Sequence, residues 1–328
     1  MDKNLRDCPV FVCGHPKSGT SLVRSLLDSH PQLVVYPEET IFFRRYLPEA
    51  QRLTLDEKLA LADQLIVHIF DWNQTNPPAH QAGFLDRDYA YISLPAVSQA
   101  MRQLVAGGYR HDGDILSAAV LAFGMVCGQL NEQTVHWVEK TPYNEYYVEQ
   151  MLSWWPDALF IHVVRDPRDN FVSYRRKHPE WSARTFAESW SHSTQSGLAS
   201  QNKYGPKRYW VLRYEKLIQS PDEVLPAICQ FLGISDHPTL KTPTRGGKAW
   251  RGNSMFAEQF KQISTSPKGR WKETMSTDDL VLLEGLARSS MKPLGYELSG
   301  TTLTQARPGV IWQLFKAFVS HVIRKPTP

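Results

Sequence analysis

One stretch near the start of the chain, residues 10–23, restricts the possible folds more than any other. It consists of an apolar run, a turn bounded by Gly14 and Gly19, and an amphipathic run. The two runs predict a strand over 9–13 and a helix over 19–29. A turn between a strand and the N-terminus of a helix binds phosphate through its backbone N–H groups, with help from the helix dipole.

This turn differs from the common ATP-binding loop, whose pattern is G-x-x-x-x-G-K-[ST]. Gly14 and Gly19 have the spacing of that pattern, but Thr20 stands where the lysine is expected. The lysine of this turn is Lys17, inside the loop. The displaced lysine is evidence against an ordinary ATPase or kinase and favours a different phosphate-bearing donor.

A second apolar run, residues 158–164, predicts a buried strand that ends at a basic motif. The motif reads Arg165-Asp166-Pro167-Arg168-Asp169, and Ser173 follows on the predicted helix over 167–176. Together with Pro16-Lys17-Ser18-Gly19-Thr20, it resembles the signatures of the 3′-phosphoadenosine-5′-phosphosulfate (PAPS)-dependent sulfotransferases. The resemblance implies that Arg165 and Ser173 hold the 3′-phosphate of PAPS. It also implies that the first loop holds the 5′-phosphosulfate, through Lys17, Ser18, Gly19, Thr20 and Ser21.

Later segments extend this resemblance over residues 8–298. Arg213-Tyr214-Glu215-Lys216-Leu217 is similar to the family's R-Y-E-x-L segment, and we count Tyr214 among the donor-binding residues. Lys268-Gly269-Arg270-Trp271 is similar to its late K-G-x-W phosphate loop. The resemblance implies that Lys268, Gly269 and Arg270 close over the 3′-phosphate. We expect Arg168 and Arg175 to pair with nearby carboxylates instead.

The candidate base lies just after the first predicted helix. Asp28-Ser29-His30-Pro31 followed by Glu38-Glu39-Thr40 resembles the D-x-H-P…E-E-T pattern of the tyrosylprotein sulfotransferases. The alignment implies Glu39 as general base, with Glu38 as second choice, and Lys140 as a cation that holds the sulfonate. The alternative is that one of the two glutamates caps a helix that begins near Thr40.

The chemistry that these residues imply is transfer of a sulfuryl group from PAPS, as co-substrate, to a hydroxyl or amine acceptor by in-line displacement. Such transfers depend mainly on positioning and on electrostatic stabilisation of the leaving group, a role that suits Lys17. A small alcohol, phenol, sugar or lipid is favoured over protein tyrosine as acceptor. The alternatives are a nucleotide or small-molecule kinase with an atypical loop, and a non-catalytic nucleotide-binding protein.

The order of predicted elements favours an α/β class: a P-loop-like three-layer fold with a central parallel sheet and helices on both faces. Further strands are predicted over 134–139 and 208–213. We expect one sulfotransferase domain over 1–300, in which the helical insertion 41–133 forms a lid over the acceptor. The aromatic residues of that insertion either pack on the core or line the acceptor pocket: Trp72, Phe84, Tyr89 and Tyr91.

Composition and the chain ends restrict location and partners. The 328 residues carry a net charge of +4, which suits an anionic ligand but does not indicate nucleic acid. The four cysteines form no C-x-x-C pair, so we expect no metal site. We see no signal peptide and no membrane-spanning run, and we expect a cytoplasmic protein. The amphipathic tail, 301–328, predicts a helix that docks on the domain or on a second subunit, or contacts a membrane peripherally.

Overall fold

The computed structural model describes residues 4–76, 88–250, 252 and 263–323. Its central feature is a five-stranded sheet in the order β2-β3-β1-β4-β5, with every neighbouring pair parallel. A separate antiparallel hairpin pairs β6 with β7. The strands are β1 Pro9–Cys13, β2 Leu33–Val35, β3 His136–Lys140, β4 Leu159–Val164, β5 Tyr209–Arg213, β6 Thr244–Arg245 and β7 Lys248–Ala249.

Fourteen α-helices lie within the described residues. They are α1 Thr20–Leu27, α2 Leu47–Ala50, α3 Leu55–Ala62, α4 Ile69–Thr75, α5 Leu94–Ala106, α6 Gly113–Val126, α7 Val148–Trp154, α8 Pro167–Lys177, α9 Ala183–Tyr204, α10 Tyr214–Gln219, α11 Pro221–Leu232, α12 Trp271–Thr274, α13 Thr277–Met291 and α14 Pro308–Ile323. Phe42–Tyr46 and Asp63–Val67 form π-helical turns, and the segment Asn144–Tyr147 forms a 3₁₀ turn.

Alternating residues of the strands supply two separate cores, one on each face of the sheet. Val10 and Val12 of β1 pack with α1, α10 and α11. Phe11 and Cys13 point to the opposite face and pack with the helices of the insertion, including Phe123 of α6. All five residues of β1 are buried, as expected for a central parallel strand covered on both faces. The predicted three-layer α/β fold is therefore confirmed.

The strands predicted next to the chemistry agree with β1, β3, β4 and β5 to within two residues. The sequence missed β2, because three residues give no readable alternation. A π-helical turn separates α3 from α4, so the helical segment 55–75 is interrupted. The sequence analysis also left out α13, although Ser276 caps it and its apolar residues have helical spacing.

The tail helix α14 docks on α13, which was one of the arrangements expected from the sequence. Val310 is buried, and Leu314 packs where a Cβ on Gly285 would lie only 2.7 Å from it. Ile311, Trp312 and Phe315 on the outer face are exposed. Arg324 and Lys325, which the sequence analysis included in the tail, lie outside the described residues. None of the described helices is both long and apolar enough to span a bilayer.

Candidate active site

The phosphate-binding loop runs from Gly14 to Gly19, between the carboxyl end of β1 and the first residue of α1. Both glycines have positive φ angles, +128° and +106°. A Cβ on Gly14 would lie 2.3 Å from the carbonyl oxygen of Val163, and one on Gly19 would lie 2.3 Å from the ring of Tyr214. The loop therefore needs glycine at both ends, because the neighbouring strand and Tyr214 leave no room for a side chain.

The buried carboxyl group of Glu145 hydrogen bonds to the first residue of the loop. Glu145 Oε2 accepts the N–H of Gly14 at 3.0 Å, and its other oxygen accepts the hydroxyl of Ser193. Burial raises the pKa of Glu145 to about 7. Cys13 and His162 lie beside it with their polar atoms within 4.8 Å. These are residue types that bind metals, and the Tyr209 hydroxyl lies 3.7 Å from Cys13 Sγ and 2.8 Å from His162 Nδ1.

The structure brings together Arg165, Ser173 and the phosphate-binding loop. Arg165 Nη1 lies 3.3 Å from Ser173 Oγ and 3.3 Å from the carbonyl oxygen of Lys17. Its guanidinium group stacks on Tyr214, with 5.0 Å to the ring centroid, and donates to Pro267 O at 2.8 Å. Ser173 and Arg165 are separated by about two helical turns of α8, so their spacing in the sequence places them side by side.

Several buried polar atoms have no hydrogen-bond partner among the described residues, and Ser18 Oγ and Arg165 Nε are two of them. Buried polar groups in proteins are nearly always satisfied, so atoms like these point to a ligand or to water that completes them. One lies in the phosphate-binding loop and the other on the arginine assigned to the second phosphate. Both positions fit a ligand with a phosphate at each end of a ribose.

The late loop packs beside Arg165, whose Nη2 donates to Pro267 O of that loop. Asp169 of α8 accepts the N–H of Gly269 at 2.6 Å and that of Trp271 at 3.1 Å. The Gly269 N–H is therefore engaged by protein. Lys268 is exposed, and Arg270 donates from Nε to Ser266 O at 3.1 Å.

The arginines expected to be structural are indeed paired with carboxylates. Arg168 lies between Asp166 and Glu284, with contacts of 2.6 and 2.8 Å, and its guanidinium group covers the ring of Trp271. Arg175 pairs with Asp279 at 2.8 Å. These contacts join α8 to α13, a connection that the sequence did not predict.

Glu39 and Lys140 form an ion pair on the wall of a pocket. Glu39 Oε1 lies 2.5 Å from Lys140 Nζ, and the Glu39 side chain is 41% exposed while Lys140 is buried. Burial acts to raise the pKa of Glu39, but the charges of Lys140, Lys177 and Arg44 outweigh it and hold that pKa below its usual value. Burial lowers the pKa of Lys140 despite the adjacent Glu39.

Glu139 organises the backbone around this pair, a role that the sequence analysis missed. Its carboxyl accepts the hydroxyls of Thr40 at 2.8 Å and Thr141 at 2.5 Å, and the amide of Asn144 at 2.8 Å. Because Glu139 and Lys140 are consecutive in β3, their side chains point to opposite sides of the strand. Glu139 thus fixes the loop that carries Glu39, while Lys140 contacts Glu39 itself.

Glu38 occupies a different environment from Glu39. Its carboxylate is buried, accepts the hydroxyl of Tyr89 at 2.5 Å and lies 3.9 Å from Arg245 Nη1. The N–H of Phe42 is accepted by Thr40 Oγ1. The turn after Thr40 thus has a hydroxyl cap, and the carboxylates of the Glu-Glu pair are engaged with Tyr89 and Lys140.

The aromatic residues of the insertion divide between the two expected roles. Tyr89 is buried and packs on Phe70, with 4.9 Å between ring centroids. Tyr91 donates to Gly246 O in the β6–β7 hairpin. Trp72 is 59% exposed and lines the pocket. Phe84 lies outside the described residues.

Lys17 lies inside the loop with φ +66° and faces the same pocket. Burial lowers the pKa of Lys17 to about 8, and the nearby charges of Lys177, Lys140 and Arg165 contribute to the shift. Three predicted catalytic residues thus line one cavity of about 540 Å³. Its lining includes Lys17, Thr20, Ser21, Arg24, Glu38, Glu39, Arg44, Trp72, Lys140, Lys177 and Arg245.

Two arginines of this cavity were not predicted. Arg24 is fully buried in α1 and donates to Pro37 O and to Ser25 Oγ. Arg245 comes from the β6–β7 hairpin, far from Glu38 in the sequence. The sequence around Arg24 reads as an ordinary amphipathic helix, and the hairpin gives no recognisable motif. Their placement depends on tertiary contacts that spacing alone does not reveal.

The fold and the site define a class of protein. A parallel sheet whose strands lead into a glycine-bounded loop at the start of a helix, with a buried arginine beside that loop, is typical of α/β proteins that bind a phosphate-bearing ligand. Comparison identifies the class more closely: residues 9–238 match the model of the Sulfotransferase family. The chain belongs to this family, and it is a sulfotransferase. Use of PAPS is the general property of the family.

Individual relatives agree with this membership. The omega-hydroxy-beta-dihydromenaquinone-9 sulfotransferase Stf3 of Mycobacterium bovis is 24% identical over 263 residues, which cover 71% of this chain and 64% of that protein. Protein-tyrosine sulfotransferase 2 of Gallus gallus is 24% identical over 240 residues, which cover 70% of this chain and 52% of that protein. The chain thus spans about half to two thirds of the length of these two relatives.

A solved structure shows the same fold. The sulfotransferase domain from the Synechococcus PCC 7002 olefin synthase superposes with a TM-score of 0.56 at 22% identity, covering 88% of this chain and 95% of that one. The family match and this likeness agree with the sulfotransferase prediction and do not favour the kinase alternative.

Proposed function

We propose that this protein transfers the sulfuryl group of PAPS to a hydroxyl or amine acceptor. The observation that carries the proposal is that Lys17, Glu39 and Lys140 line one cavity beside the phosphate-binding loop. The family membership supports PAPS as donor, and the unpartnered Ser18 Oγ and Arg165 Nε support a ligand with two phosphates.

In this mechanism Glu39 accepts the proton of the acceptor hydroxyl as its oxygen forms a bond to sulfur. The bond between sulfur and the bridging oxygen of the 5′-phosphate breaks in line, and 3′-phosphoadenosine-5′-phosphate (PAP) leaves with the additional negative charge. Lys17 stabilises that charge, and Lys140 holds the sulfonate oxygens. These interactions strengthen as charge moves onto the phosphate, which is the condition for lowering the barrier.

The two glutamates allow a matched test of the base. We expect Glu39→Gln to lower turnover of PAPS by orders of magnitude while PAP still binds, because the amide keeps the shape but accepts no proton. Glu38→Gln should retain most activity, since Glu38 is buried against Tyr89 and Arg245. Turnover with a panel of alcohols, phenols, sugars and lipids, and PAP titration of each variant, are the measurements. Full activity of Glu39→Gln with loss in Glu38→Gln would transfer the role to Glu38.

The acceptor lid and the tail complete the proposal. We assign the segment 41–133 as the acceptor lid, which is supported by Ile41, Arg44, Ile69 and Trp72 on the cavity wall.

For the tail, exposed Ile311, Trp312 and Phe315 support peripheral contact with a membrane from a cytoplasmic location. Sedimentation with anionic vesicles, compared between the full chain and Trp312→Ser, tests the tail; equal sedimentation would count against it.

A further inference from the structure

The mouth of the cavity has two walls that both carry cations. One wall is the C-terminal end of α8, with Tyr174 and Lys177. The other is the segment after Glu39, which contributes Ile41 and Arg44. Both Lys177 and Arg44 are exposed. The base therefore lies in a recess between two positively charged side chains from different parts of the fold.

Most cations of this cavity already have a protein partner. Lys140 pairs with Glu39, Arg245 lies 3.9 Å from Glu38, and Arg24 donates to Pro37 O. Lys17 belongs to the donor site. Lys177 and Arg44 are the exposed cations of the cavity lining, and neither forms an ion pair with a carboxylate among the described residues.

Arg44 is positioned but not neutralised. Its Nη2 donates to the carbonyl oxygen of Pro142 at 3.3 Å, and its guanidinium group lies 5.3 Å from the ring centroid of Tyr143. These contacts hold the Arg44 side chain at the mouth of the cavity, and neither of them is with a carboxylate. An arginine held in this way is suited to bind a planar anionic group.

Both cations act on the catalytic residues. Each lowers the pKa of Glu39, which weakens it as a base, and Lys177 also opposes the charge of Lys17. The free enzyme thus keeps its base at a lowered pKa while two exposed cations lie at the mouth of the cavity. An anionic group on the acceptor would offset both effects by neutralising Lys177 and Arg44 when the acceptor binds.

The rest of the mouth is apolar. Ile41 and Ile69 line it together with the exposed ring of Trp72. Apolar walls with a few placed charges are typical of sites for amphipathic small molecules. We propose that the acceptor is an amphipathic alcohol that also carries an anionic oxygen group, a carboxylate or a phosphate, which Lys177 and Arg44 bind while Glu39 meets the hydroxyl. This inference rests on the proposed function.

The test compares ligands that share a terminal hydroxyl and a twelve-carbon chain but differ in the charge of the group at the other end. 12-Hydroxydodecanoate, its methyl ester and 12-hydroxydodecyl phosphate are titrated calorimetrically into the PAP-loaded full chain. We expect at least one of the two anions to bind about tenfold or more tightly than the ester, the effect of one charge-assisted hydrogen bond. The carboxylate and phosphate arms identify which anion is preferred. Equal binding of all three, or binding of none to the PAP-loaded protein, overturns the proposal.

Matched variants identify the residues. Lys177→Met and Arg44→Gln should each remove most of the preference for the anion while the protein still binds PAP. Arg45→Gln is the control, because Arg45 is exposed beside Arg44 but is absent from the cavity lining. Loss of PAP affinity in Lys177→Met would assign this lysine to the donor and overturn its assigned role. Failure of the unaltered protein to bind PAP would refute the proposed function instead.

Discussion

At the scale of single residues, Lys17 combines burial with a required charge. Its neighbours Lys177, Lys140 and Arg165 are also cationic, and its pKa lies near 8. The free enzyme therefore holds a lysine that loses its proton only slightly above neutral pH, and binding of an anion would restore full protonation. This arrangement makes the charge of Lys17 sensitive to pH and to the ligand.

The affinity for PAP should accordingly depend on pH through Lys17. Below about pH 8 the lysine is charged and affinity should be level; above it the charge is lost and affinity should fall by up to about tenfold per pH unit. Lys17→Arg should bind PAP without this decline, because the pKa of arginine is far higher. Calorimetric titrations between about pH 7 and about pH 9 measure the difference. An identical decline in Lys17→Arg would assign the titration to another group.

Glu139 provides a residue-scale prediction for stability. Replacement by Ala would leave the donors of Thr40, Thr141 and Asn144 buried without their acceptor, which costs about 3 kcal/mol or more of unfolding free energy. Glu139→Gln keeps one acceptor oxygen and should cost less. Urea unfolding of both variants gives the comparison. A loss below about 1 kcal/mol in Glu139→Ala would show that these groups find water instead.

The residues of the site differ in how far the sequence could reveal them. Lys17, Arg165 and Ser173 belong to contiguous motifs, each attached to one strand, so local spacing was enough to place them together. The role of Glu139 has no such local signal, because nothing near it in the sequence indicates that Thr40 lies within hydrogen-bonding distance. Arg245 belongs to a two-stranded hairpin whose position depends on tertiary contacts with Asp28 and Tyr91.

At the scale of elements, α8 contacts α13 and also carries residues of the candidate site. Asp169 in the first turn of the helix accepts N–H groups of the late loop, and Ser173 lies just past the middle of the helix. Its C-terminal half places Tyr174 and Lys177 on the cavity. The helix therefore contributes residues both to the proposed 3′-phosphate site and to the mouth of the proposed acceptor cavity. The sequence predicted the helix and its serine, but the partner helix α13 and the loop contact depend on residues about a hundred positions away.

We predict that Asp169→Ala lowers PAP affinity by about tenfold, because the late loop loses both backbone hydrogen bonds that hold it beside Arg165. Asp279→Ala is the control, since Asp279 pairs with Arg175 on the same helix but lies outside the phosphate site. PAP titrations of both variants provide the measurement. Equal affinities for the two variants would show that the loop is held by other contacts.

At the scale of the whole molecule, the candidate site lies at one edge of the sheet. The loop after β1, the motif after β4 and the end of β3 all meet at the carboxyl edge, where parallel sheets bind ligands. The sequence predicted this meeting because strands that alternate with helices run parallel. It could not predict the shape of the acceptor cavity, because the walls come from the insertion and the hairpin, whose packing has no local signature.

The donor should therefore stabilise the entire fold. We expect PAP to raise the melting temperature in a thermal-shift titration, with a gain of about 2.7 kcal/mol at a hundredfold excess over the dissociation constant. ATP with magnesium is the control and should give little change, because the loop lacks a lysine at the position of Thr20. A shift with ATP and magnesium alone would contradict the assignment of the donor.

The contact between Glu39 and Lys140 has a consequence for the sequence of events in one catalytic cycle. In the protein without donor, carboxylate and ammonium neutralise each other, so an alcohol that arrives first meets a base that is already occupied. A sulfonate beside Lys140 competes for the ammonium and frees an oxygen of Glu39. The cycle would then have a compulsory order, with donor before acceptor, and initial-rate kinetics with PAP as inhibitor would reveal it. Before PAPS binds, the ion pair with Lys140 would keep Glu39 from accepting a proton, and the binding of PAPS would make Glu39 available as the base.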